Sequence, residues 1–306
     1  MYLKEFYQAG IEYTLAQVAG DRDLTINIQK VLIWIGLLET TDTGADGQFG
    51  PLTTEAFIEF QKLTNCPKVG TLDRATAKAL IETSPAILPL PKIRPGGDLA
   101  GRIIKYMIAK GYTISQRAGT YNIVYIEGVE LDGTENVDEL NSFNDVRMVI
   151  QIDAGLPKIV GQWIATTEPG SFYTKDPMNP EGAARIKFGQ YKAWQVGAHV
   201  TKTVNQNPAL IQEKNVTVHR DANKDGFRTG DKLDTGLFGI NQHHADDSPR
   251  TNIGRWGAGC LVGQTAAGHK KFMDLIMKDK RYQQNQQYLF ETTIIAGDDL
   301  NTMFPI

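Results

Sequence analysis

Residues 254–263 read GRWGAGCLVG, and residues 236–244, a short way upstream, read GLFGINQHH. In the first stretch, small residues precede Cys260, so the backbone can come close to a bound molecule and offer its N–H groups to an oxyanion. His243 lies seventeen residues before Cys260 and could serve as its base, and an imidazolium beside a thiol lowers the pKa of the thiol. The two stretches form a candidate cysteine–histidine site, for which an inert buried cysteine is the alternative.

The residues around this pair predict short β-strands. Segments rich in Val, Ile, Tyr and Trp, bounded by Gly, Pro, Asp or Asn, cover residues 121–127, 146–152, 158–165 and 216–219. Apolar spacing typical of helices is found at residues 99–110 and 267–278. We therefore expect residues 98–306 to form one mostly-β domain with a few helices.

The first 85 residues have a different pattern, with apolar side chains three or four positions apart. Two helices are indicated by Ile28, Leu32, Ile35, Ala56, Phe60 and Leu63. Asp73 is a candidate N-cap for a third helix that includes Ile81, and the loop ADGQFGP at residues 45–51 separates the first two. This pattern predicts a small all-α module of three helices over residues 1–85.

Residues 86–97 read AILPLPKIRPGG, and their three prolines and final Gly-Gly are typical of a linker. The chain is thus expected to contain two domains, the helical module at 1–85 and the mostly-β domain at 98–306. The expected fold class of the whole chain is α+β.

The helical module resembles the peptidoglycan-binding three-helix domain across residues 25–85. The resemblance rests on Ile28-Gln29, Asp46-Gly47, Phe49-Gly50, Phe60-Gln61 and Val69-Gly70-Thr71-Leu72, in this order. It implies that the module binds peptidoglycan. A generic three-helix bundle, in which the same residues serve packing alone, is the alternative.

The second domain resembles the L,D-transpeptidase catalytic domain over residues 115–265. GINQH and GAGC carry this resemblance, together with the turn TTEPGSF at residues 166–172. By this resemblance, Cys260 is the nucleophile that forms a thioester with a peptidoglycan stem peptide, and His243 is the base. The backbone N–H groups of Gly259 and Cys260 would bind the oxyanion.

Three positions depart from the family pattern. Gly257 and Ala258 stand where the family has Ser and His, and Val262 stands where it usually has Arg or Asn. That arginine is expected near charged groups of the substrate. The way in which the substrate binds is therefore left open by the sequence.

The identity of the base and of the substrate contacts is also open. Asn241 follows Gly-Ile directly, where many members of the family have the histidine, and His244 is an alternative base sixteen residues before the thiol. Strand alternation puts Asn241 and His243 on one face and favours His243. Trp256, His244, Asn241 and Ala258 are the candidate substrate-binding residues.

Residues 221–226 read DANKDG, like the start of an EF-hand calcium loop in which Asp221, Asn223 and Asp225 would be ligands. The twelfth position, a bidentate Glu in such loops, is Lys232, and an Asp-Gly hairpin turn is favoured instead. Structural Ca²⁺ is the one cofactor considered, and we expect none to be required. Three further histidines show no ligand spacing and are expected on the surface or in the core: His199, His219 and His269.

The chain has 306 residues, with 32 Lys and Arg against 35 Asp and Glu and a net charge of −3. This balance argues against nucleic acid or a membrane as the main partner. Peptidoglycan is the expected partner and a monomer the expected state. The N-terminal residues lack the apolar core of a signal peptide, so we expect synthesis in the cytoplasm and action at the cell wall after release or delivery.

Together these patterns predict a peptidoglycan-targeted cysteine enzyme, an L,D-transpeptidase-like acyltransferase or an L,D-carboxypeptidase-like peptidase. Such an enzyme would serve cell-wall remodelling or phage-type lysis as an endolysin. The alternative is a non-catalytic wall-binding component of a phage or contractile-injection particle, in which the second domain keeps the fold without the reaction.

Overall fold

The computed structural model describes residues 1–38, 44–84, 92–117, 119–199 and 207–306. The chain divides into two units, Met1–Lys92 and Ile93–Ile306. The first half of the predicted linker, residues 86–91 of 86–97, lies outside the described residues, because the description stops at residue 84 and resumes at 92.

The described part of the N-terminal unit consists of five helices and a two-stranded ribbon. The helices are α1 (Leu3–Ala9), α2 (Leu15–Gly20), α3 (Arg22–Trp34), α4 (Pro51–Leu63) and α5 (Arg74–Glu82). The ribbon pairs β1 (Tyr13–Thr14) with β2 (Thr71–Leu72) in antiparallel fashion. The three predicted helices are confirmed as α3, α4 and α5, whereas the short helices α1 and α2 were not predicted.

Side-chain caps fix where these helices begin. The Asp73 carboxylate accepts a hydrogen bond from the backbone N–H of Thr76 at 2.7 Å, which confirms the predicted cap of α5. Asp21 caps α3 in the same way through the N–H of Leu24, at 3.1 Å. Pro51 occupies the first turn of α4, where its missing N–H costs no hydrogen bond.

A buried glutamine on α3 holds the loop that follows it. The side-chain carbonyl of Gln29 accepts the backbone N–H of Gly47 at 2.8 Å. Its amide lies 2.8 Å from Asp46 Oδ1 and 3.2 Å from Thr53 Oγ1, at the start of α4. Gly47 has φ +76°, which favours glycine.

Gln61 on α4 repeats this arrangement one helix later. Its carbonyl accepts the backbone N–H of Gly70 at 2.8 Å, and its amide donates to Thr76 Oγ1 at 3.1 Å on α5. Gly70 has φ +84°. In both arrangements, a buried glutamine amide forms hydrogen bonds with a glycine turn and with the start of the next helix.

The C-terminal unit contains helices and strands in mixed order. Its elements are α6 (Leu99–Ala109), β3 (Asn122–Glu127), β4 (Asp145–Asp153), β5 (Leu156–Thr166), α7 (Ser171–Lys175), β6 (Ala183–Ile186), β7 (Gly189–His199), β8 (Asn207–Gln212), β9 (Val216–Asp221), β10 (Lys232–Gly236), β11 (Gln242–His244), β12 (Leu261–Gly263), α8 (Ala266–Ile276), α9 (Lys280–Gln284), β13 (Phe290–Ala296) and α10 (Gly297–Met303).

Eight of these strands close into a barrel in the order β11-β12-β5-β4-β3-β13-β7-β8, and β10-β9-β6 form a small separate sheet. Two neighbouring pairs in the barrel are parallel, β11 with β12 and β13 with β3. The predicted α+β class and the mostly-β second domain are confirmed. The predicted strands correspond to β3, β4, β5 and β9, and the predicted helices to α6 and α8.

Strand β3 packs against a hydrophobic cluster on each of its two faces. Alternate residues point to opposite faces of a strand, so Ile123 and Tyr125 join the core around Trp194 inside the barrel. Val124 and Ile126 pack on the other face, in a cluster that includes residues of α6. Both faces of β3 are therefore buried.

Within the described residues, no helix combines the length and the apolar character needed to cross a membrane.

Candidate active site

The parallel pair β11 and β12 places His243 and Cys260 on the same side of the barrel wall. Gln242 is aligned with Leu261 across the two strands. Both face the barrel interior, where Leu261 belongs to the core and Gln242 donates to Thr292 Oγ1 at 2.9 Å. Since side chains alternate along a strand, His243 and Cys260, one position away in each segment, face outward.

The outward side opens into a cleft of about 640 Å³ that contains both residues. Its polar lining consists of Tyr173, Asn179, His199, Arg220, His243, His244, Asp246, Arg255 and Cys260. Three of the predicted substrate contacts, Trp256, His244 and Ala258, also line this cleft. The chain thus brings the predicted nucleophile, both candidate bases and an aromatic side chain into one cavity.

Gly259 lies behind the thiol and supports the turn that presents it. Its φ is +122°, and a Cβ atom there would lie 2.5 Å from the carbonyl oxygen of Ala184 on β6. A side chain at this position would therefore collide with the backbone. Within the described part of the chain, the backbone N–H groups of Gly259 and Cys260 donate to no protein acceptor. These two groups are available to a ligand.

Asn141 ties together the loops on either side of this turn. Its side-chain oxygen accepts the backbone N–H of Ser171 at 2.8 Å and that of Gly254 at 2.9 Å. Gly170 packs so closely against the carbonyl of Gly254 that a Cβ atom would approach it to 2.3 Å. Asn141 was not predicted as a site residue, because nothing in its local sequence indicates these distant partners.

His243 is held as a neutral imidazole with one defined tautomer. Its Nδ1 lies 3.0 Å from the backbone carbonyl oxygen of His244, which can only accept, so Nδ1 carries the proton. Nε2 is consequently the nitrogen with a free lone pair. Burial, reinforced by the neighbouring His199, lowers the pKa of His243 to about 3. This is the form that a general base requires.

His199 stacks on His243, with ring centroids 4.1 Å apart and planes inclined by 2°. Asn241 orients His199. Its Oδ1 accepts the backbone N–H of Gln212 at 3.0 Å, so its amide nitrogen, 3.1 Å from His199 Nδ1, donates to that atom. His199 therefore carries its proton on Nε2, and burial lowers its pKa.

These contacts change two expectations. His199 was expected on the surface or in the core, but it lies in the cleft beside the candidate base. Asn241 was a candidate substrate contact, and its amide is engaged by His199 and Gln212. The position of His199 follows from the pairing of β7 with β8 and of β8 with β11. No local signal in the sequence indicates it.

The Cys260 thiol is neutral in this setting. Its Sγ lies 3.5 Å from the backbone carbonyl oxygen of Gly239, to which the thiol donates. Burial raises the pKa of Cys260 to about 11, against a smaller opposing effect of the Asn241 backbone. This direction is opposite to the one expected from a neighbouring imidazolium, because His243 is itself uncharged. The site rests as a neutral thiol beside a neutral imidazole.

His244, the alternative base, has a different environment. Its Nδ1 lies 2.9 Å from Asp246 Oδ1, and its ring centroid is 5.2 Å from that of His269. His269 is buried and saturated, since its Nε2 donates to the Pro208 carbonyl at 2.9 Å and its Nδ1 accepts from Arg147 at 3.2 Å. Burial lowers the pKa of His269 to about 2. His269 is thus a buried histidine, as expected.

The candidate calcium ligands lie in the connection from β9 to β10. The Asp221 carboxylate accepts the backbone N–H groups of Asp225 at 3.1 Å and Gly226 at 2.9 Å. Asn223 donates to Asp225 Oδ2 at 2.7 Å, and Asp225 Oδ1 accepts the N–H of Phe227 at 2.8 Å. These bonds are typical of a turn that organises its own backbone. That this loop requires no calcium stays a prediction.

A second group of carboxylates, two buried and one half-buried, was not predicted. Glu127, Asp138 and Glu168 lie close enough together to share one metal ion. Arg185 contacts Glu127 at 3.0 Å and also Glu168, and Arg228 pairs with Glu127. Although burial raises it, the two arginines lower the pKa of Glu127 to about 2. Guanidinium groups therefore already supply the positive charge that a metal would bring.

Comparison with known proteins supports the first unit directly. Residues 21–80 match the family described as "Putative peptidoglycan binding domain". The N-terminal unit therefore contains a peptidoglycan-binding domain, which confirms the resemblance seen there in the sequence.

No curated protein matches the chain. Among solved structures, a fused Zn-dependent amidase/peptidase/peptidoglycan-binding domain-containing protein from Clostridium acetobutylicum ATCC 824 aligns over 93% of this chain and 99% of its own. Its sequence identity is 14% and its TM-score 0.29, a similarity too low to assign a fold. The function of the C-terminal unit therefore has to be argued from its own residues.

Proposed function

We propose that this protein is a peptidoglycan-directed cysteine enzyme of the L,D-transpeptidase type, which acts through a thioester on Cys260. The observation that carries the proposal is the cleft that both Cys260 and His243 line, with His243 neutral and its Nε2 lone pair free. The unengaged backbone N–H groups of Gly259 and Cys260 add an oxyanion site.

The reaction begins with a proton transfer inside the neutral pair. Cys260 Sγ attacks the carbonyl carbon at the L-centre of a diamino acid in the stem peptide, while His243 Nε2 takes the thiol proton. The carbonyl oxygen becomes an oxyanion, which the N–H groups of Gly259 and Cys260 bind. Because the pKa of Cys260 is raised to about 11, removal of the proton accompanies the attack instead of preceding it.

The tetrahedral intermediate then collapses. The bond to the nitrogen of the following D-residue breaks, and His243 returns its proton to that nitrogen, which leaves as an amine. The acyl group stays on Cys260 as a thioester. A water molecule or the amine of another stem peptide attacks the thioester carbonyl, His243 again takes the proton, and the thiol is restored. Water gives hydrolysis and an amine gives transpeptidation.

His199 and Asn241 act as positioning residues in this scheme. The parallel stack fixes the ring plane of His243, and the bond from Asn241 fixes the tautomer of His199. Burial, reinforced by His199, disfavours the protonated form of His243, so the imidazole stays available as a base. Trp256, His244 and Ala258 line the same cleft and are proposed to contact the substrate.

The peptidoglycan-binding domain raises the local concentration of the wall around the C-terminal unit. Once the binding domain is attached to the wall, the linked catalytic unit meets its substrate in an intramolecular step. Its affinity for the substrate does not have to change. We therefore propose that the chain works on insoluble peptidoglycan better than on free stem peptides of the same composition.

Mass spectrometry of muropeptides tests the proposal. Purified peptidoglycan is digested with the wild type, with Cys260→Ala and with the control Cys66→Ala. Cys66 is a buried thiol of the N-terminal unit that contacts Thr64 Oγ1. We expect cleaved or exchanged stem peptides with the wild type and Cys66→Ala, and none with Cys260→Ala. Equal products from Cys260→Ala and the wild type would overturn the proposal.

One observation favours the alternative of a non-catalytic wall-binding component. The raised pKa of the Cys260 thiol, about 11, leaves little thiolate near neutral pH. If the wild type sediments with peptidoglycan but the digest contains no product of its action, the binding role replaces the enzymatic one.

A further inference from the structure

A single carboxyl group connects two loops that leave the barrel at the same edge. Asp145 is the first residue of β4, which lies between β3 and β5 in the barrel. Its Oδ1 accepts the backbone N–H of Gly128, the residue after β3, at 3.0 Å. Its Oδ2 accepts the backbone N–H of Thr167, the residue after β5, at 2.6 Å. Since Asp145 is fully buried, these bonds fix where both loops begin.

The hydroxyl of Thr167 joins this carboxyl to a second one. Thr167 Oγ1 lies 2.9 Å from Asp145 Oδ2 and 2.7 Å from Glu127 Oε2. A hydroxyl has a single hydrogen to donate. The other contact therefore takes its hydrogen from the carboxyl, so one of the two carboxyl groups is protonated.

The surrounding charges place this proton on Asp145. Glu127 pairs with Arg185 at 3.0 Å and with Arg228, and both arginines favour its ionised form. Within the described residues, Asp145 pairs with no lysine or arginine. The charged or titratable side chains around it are Glu127, Asp138, Glu168 and Arg185. Burial, followed by the negative charge of Glu127, raises the pKa of Asp145 to about 7. Asp145 Oδ2 therefore donates to Thr167 Oγ1, which donates to Glu127.

The turn that begins at Thr166 connects this proton to the thiol. Thr166 pairs with Val262 on β12, two residues after Cys260. Further along the turn, the backbone N–H of Gly170 donates to the carbonyl oxygen of Gly257 at 2.8 Å, three residues before Cys260. A shift of this turn would therefore move the backbone on both sides of the thiol.

We propose that Asp145 is a positioning residue, which in its protonated form holds this turn and thereby the backbone that presents Cys260. We call the arrangement of Asp145, Thr167 and Glu127 the carboxyl lock. When Asp145 loses its proton to solvent, the Thr167 hydroxyl can donate to only one of two carboxylates, and the oxygen atoms of the other contact repel each other. The turn then loosens. The effect of the lock on the reaction rests on the proposed function.

Infrared difference spectroscopy of the full chain tests where the proton lies, because a protonated carboxyl has a C=O band that a carboxylate lacks. We expect this band to lose intensity between about pH 6 and about pH 8, on either side of the Asp145 pKa of about 7. Glu168 keeps its proton over this range, since its pKa is about 9. The loss should be absent in Asp145→Asn and present in Asp153→Asn, the matched control at the other end of β4.

A second variant serves if Asp145→Asn does not fold. Thr167→Val keeps the backbone N–H that binds Asp145 and removes only the hydroxyl. It should shift the infrared band, because the carboxyl loses the acceptor of its proton.

Hydrogen exchange of the peptide that covers residues 166–174 tests the turn itself. After correction for the intrinsic effect of pH, exchange in the wild type should become about tenfold faster between about pH 6 and about pH 8, the effect of one lost hydrogen bond. Thr167→Val should exchange fast at both pH values, and Thr167→Ser, which restores the hydroxyl, should behave like the wild type. The ratio of kcat/KM on stem peptides between the wild type and Thr167→Val should fall over the same range.

Two results would overturn the carboxyl lock. The first is an infrared band that does not change with pH in the wild type, or that changes equally in Asp145→Asn or, if that variant does not fold, in Thr167→Val. The second is exchange of the turn that is the same in Thr167→Val and the wild type. If band and exchange behave as expected but the wild type yields no new muropeptides, the proposed reaction fails and the lock stands. If muropeptides form but exchange is independent of pH, the lock fails and the reaction stands.

Discussion

The two units of this chain bury polar side chains in different ways. In the N-terminal unit, Gln29 and Gln61 are neutral, and their amides bond to backbone and side-chain partners at both ends. The C-terminal unit also buries ionisable side chains, and some of their atoms lack hydrogen-bond partners. Among the described residues, Glu168 Oε2 has no hydrogen-bond partner. The satisfied amides fix shape, whereas the buried ionisable groups have shifted pKa values.

This difference has a direct chemical consequence. A buried amide has no second protonation state, so burial affects stability alone. Burial of Cys260 and His243 moves their pKa values to about 11 and about 3, in opposite directions, and removes the charge from both. Shifted pKa values in a cleft are a common mark of functional sites. We therefore assign a structural role to the buried glutamines and a chemical role to Cys260 and His243.

Removal of the imidazole should have the largest effect. We expect His243→Ala to lower kcat/KM on stem peptides roughly 100- to 10,000-fold near neutral pH, because the general base is lost. The defect should shrink as the pH approaches the thiol pKa of about 11, since hydroxide then ionises Cys260 without help. His219→Ala, on strand β9 and outside the cleft lining, is the control and should keep its activity.

The same role of His243 predicts how the activity of the wild type changes at acidic pH. The base works in its neutral form, and the pKa of His243 is lowered from 6.5 to about 3. Activity should therefore hold as the pH falls through 6.5 and decline only toward 3. A half-maximal rate near pH 6.5 would mean that the imidazole is not buried as the structure has it.

On the N-terminal side, Gln61→Leu should destabilise the unit by about 2 kcal/mol. The change leaves the half-buried N–H of Gly70 and the buried hydroxyl of Thr76 without their partner. Chemical denaturation of the full chain, followed by the transition of the N-terminal unit, measures the loss. Gln8→Leu is the control, because Gln8 is exposed on α1. A loss no larger than that of the control would contradict the structural role of Gln61.

A smaller effect is expected from Glu168→Gln. Burial raises the pKa of Glu168 from 4.5 to about 9, so the folded state keeps a proton that the unfolded state has lost. The free energy of unfolding should therefore fall as the pH rises from about 5 to about 9. The variant does not titrate at this position, so we expect its free energy of unfolding to fall less than that of the wild type over this pH range.

Denaturation at about pH 6 and about pH 9 measures this slope. Asp153→Asn is the matched control, since Asp153 forms an exposed ion pair with Lys158 at 2.6 Å. The control should leave the slope unchanged. A slope that is identical in Glu168→Gln and the wild type would show that Glu168 is ionised in the folded protein.

The spacing of apolar residues in the sequence predicted the longer helices and strands. The stripe that includes Ile28 and Leu32 became α3, and the apolar segments 146–152 and 158–165 became β4 and β5. Strands β11 and β12 are three residues each, too short for any pattern to indicate. Cys260 and His243 were identified from their chemistry and from motifs that resemble a known family. The parallel pairing of β11 with β12 was not predicted.

Two residues that support this site, His199 and Asn141, could not be predicted from the sequence. His199 reaches His243 only because β8 joins β7 to β11, and Asn141 reaches Ser171 and Gly254 across 30 and 113 residues. Such contacts depend on the closed barrel, a non-local property. The direction of the thiol pKa was likewise misjudged, because burial depends on neighbours that the sequence does not place.

Intact-protein mass spectrometry tests the central claim most directly, because the thioester on Cys260 is a covalent product. The chain is incubated with a synthetic stem peptide that ends in a D-residue. We expect the wild type to gain the mass of the acyl fragment without that residue, and hydroxylamine to remove the adduct. Cys260→Ala should stay unmodified. Absence of any adduct on the wild type during turnover, or an adduct that persists on Cys260→Ala, would contradict the account.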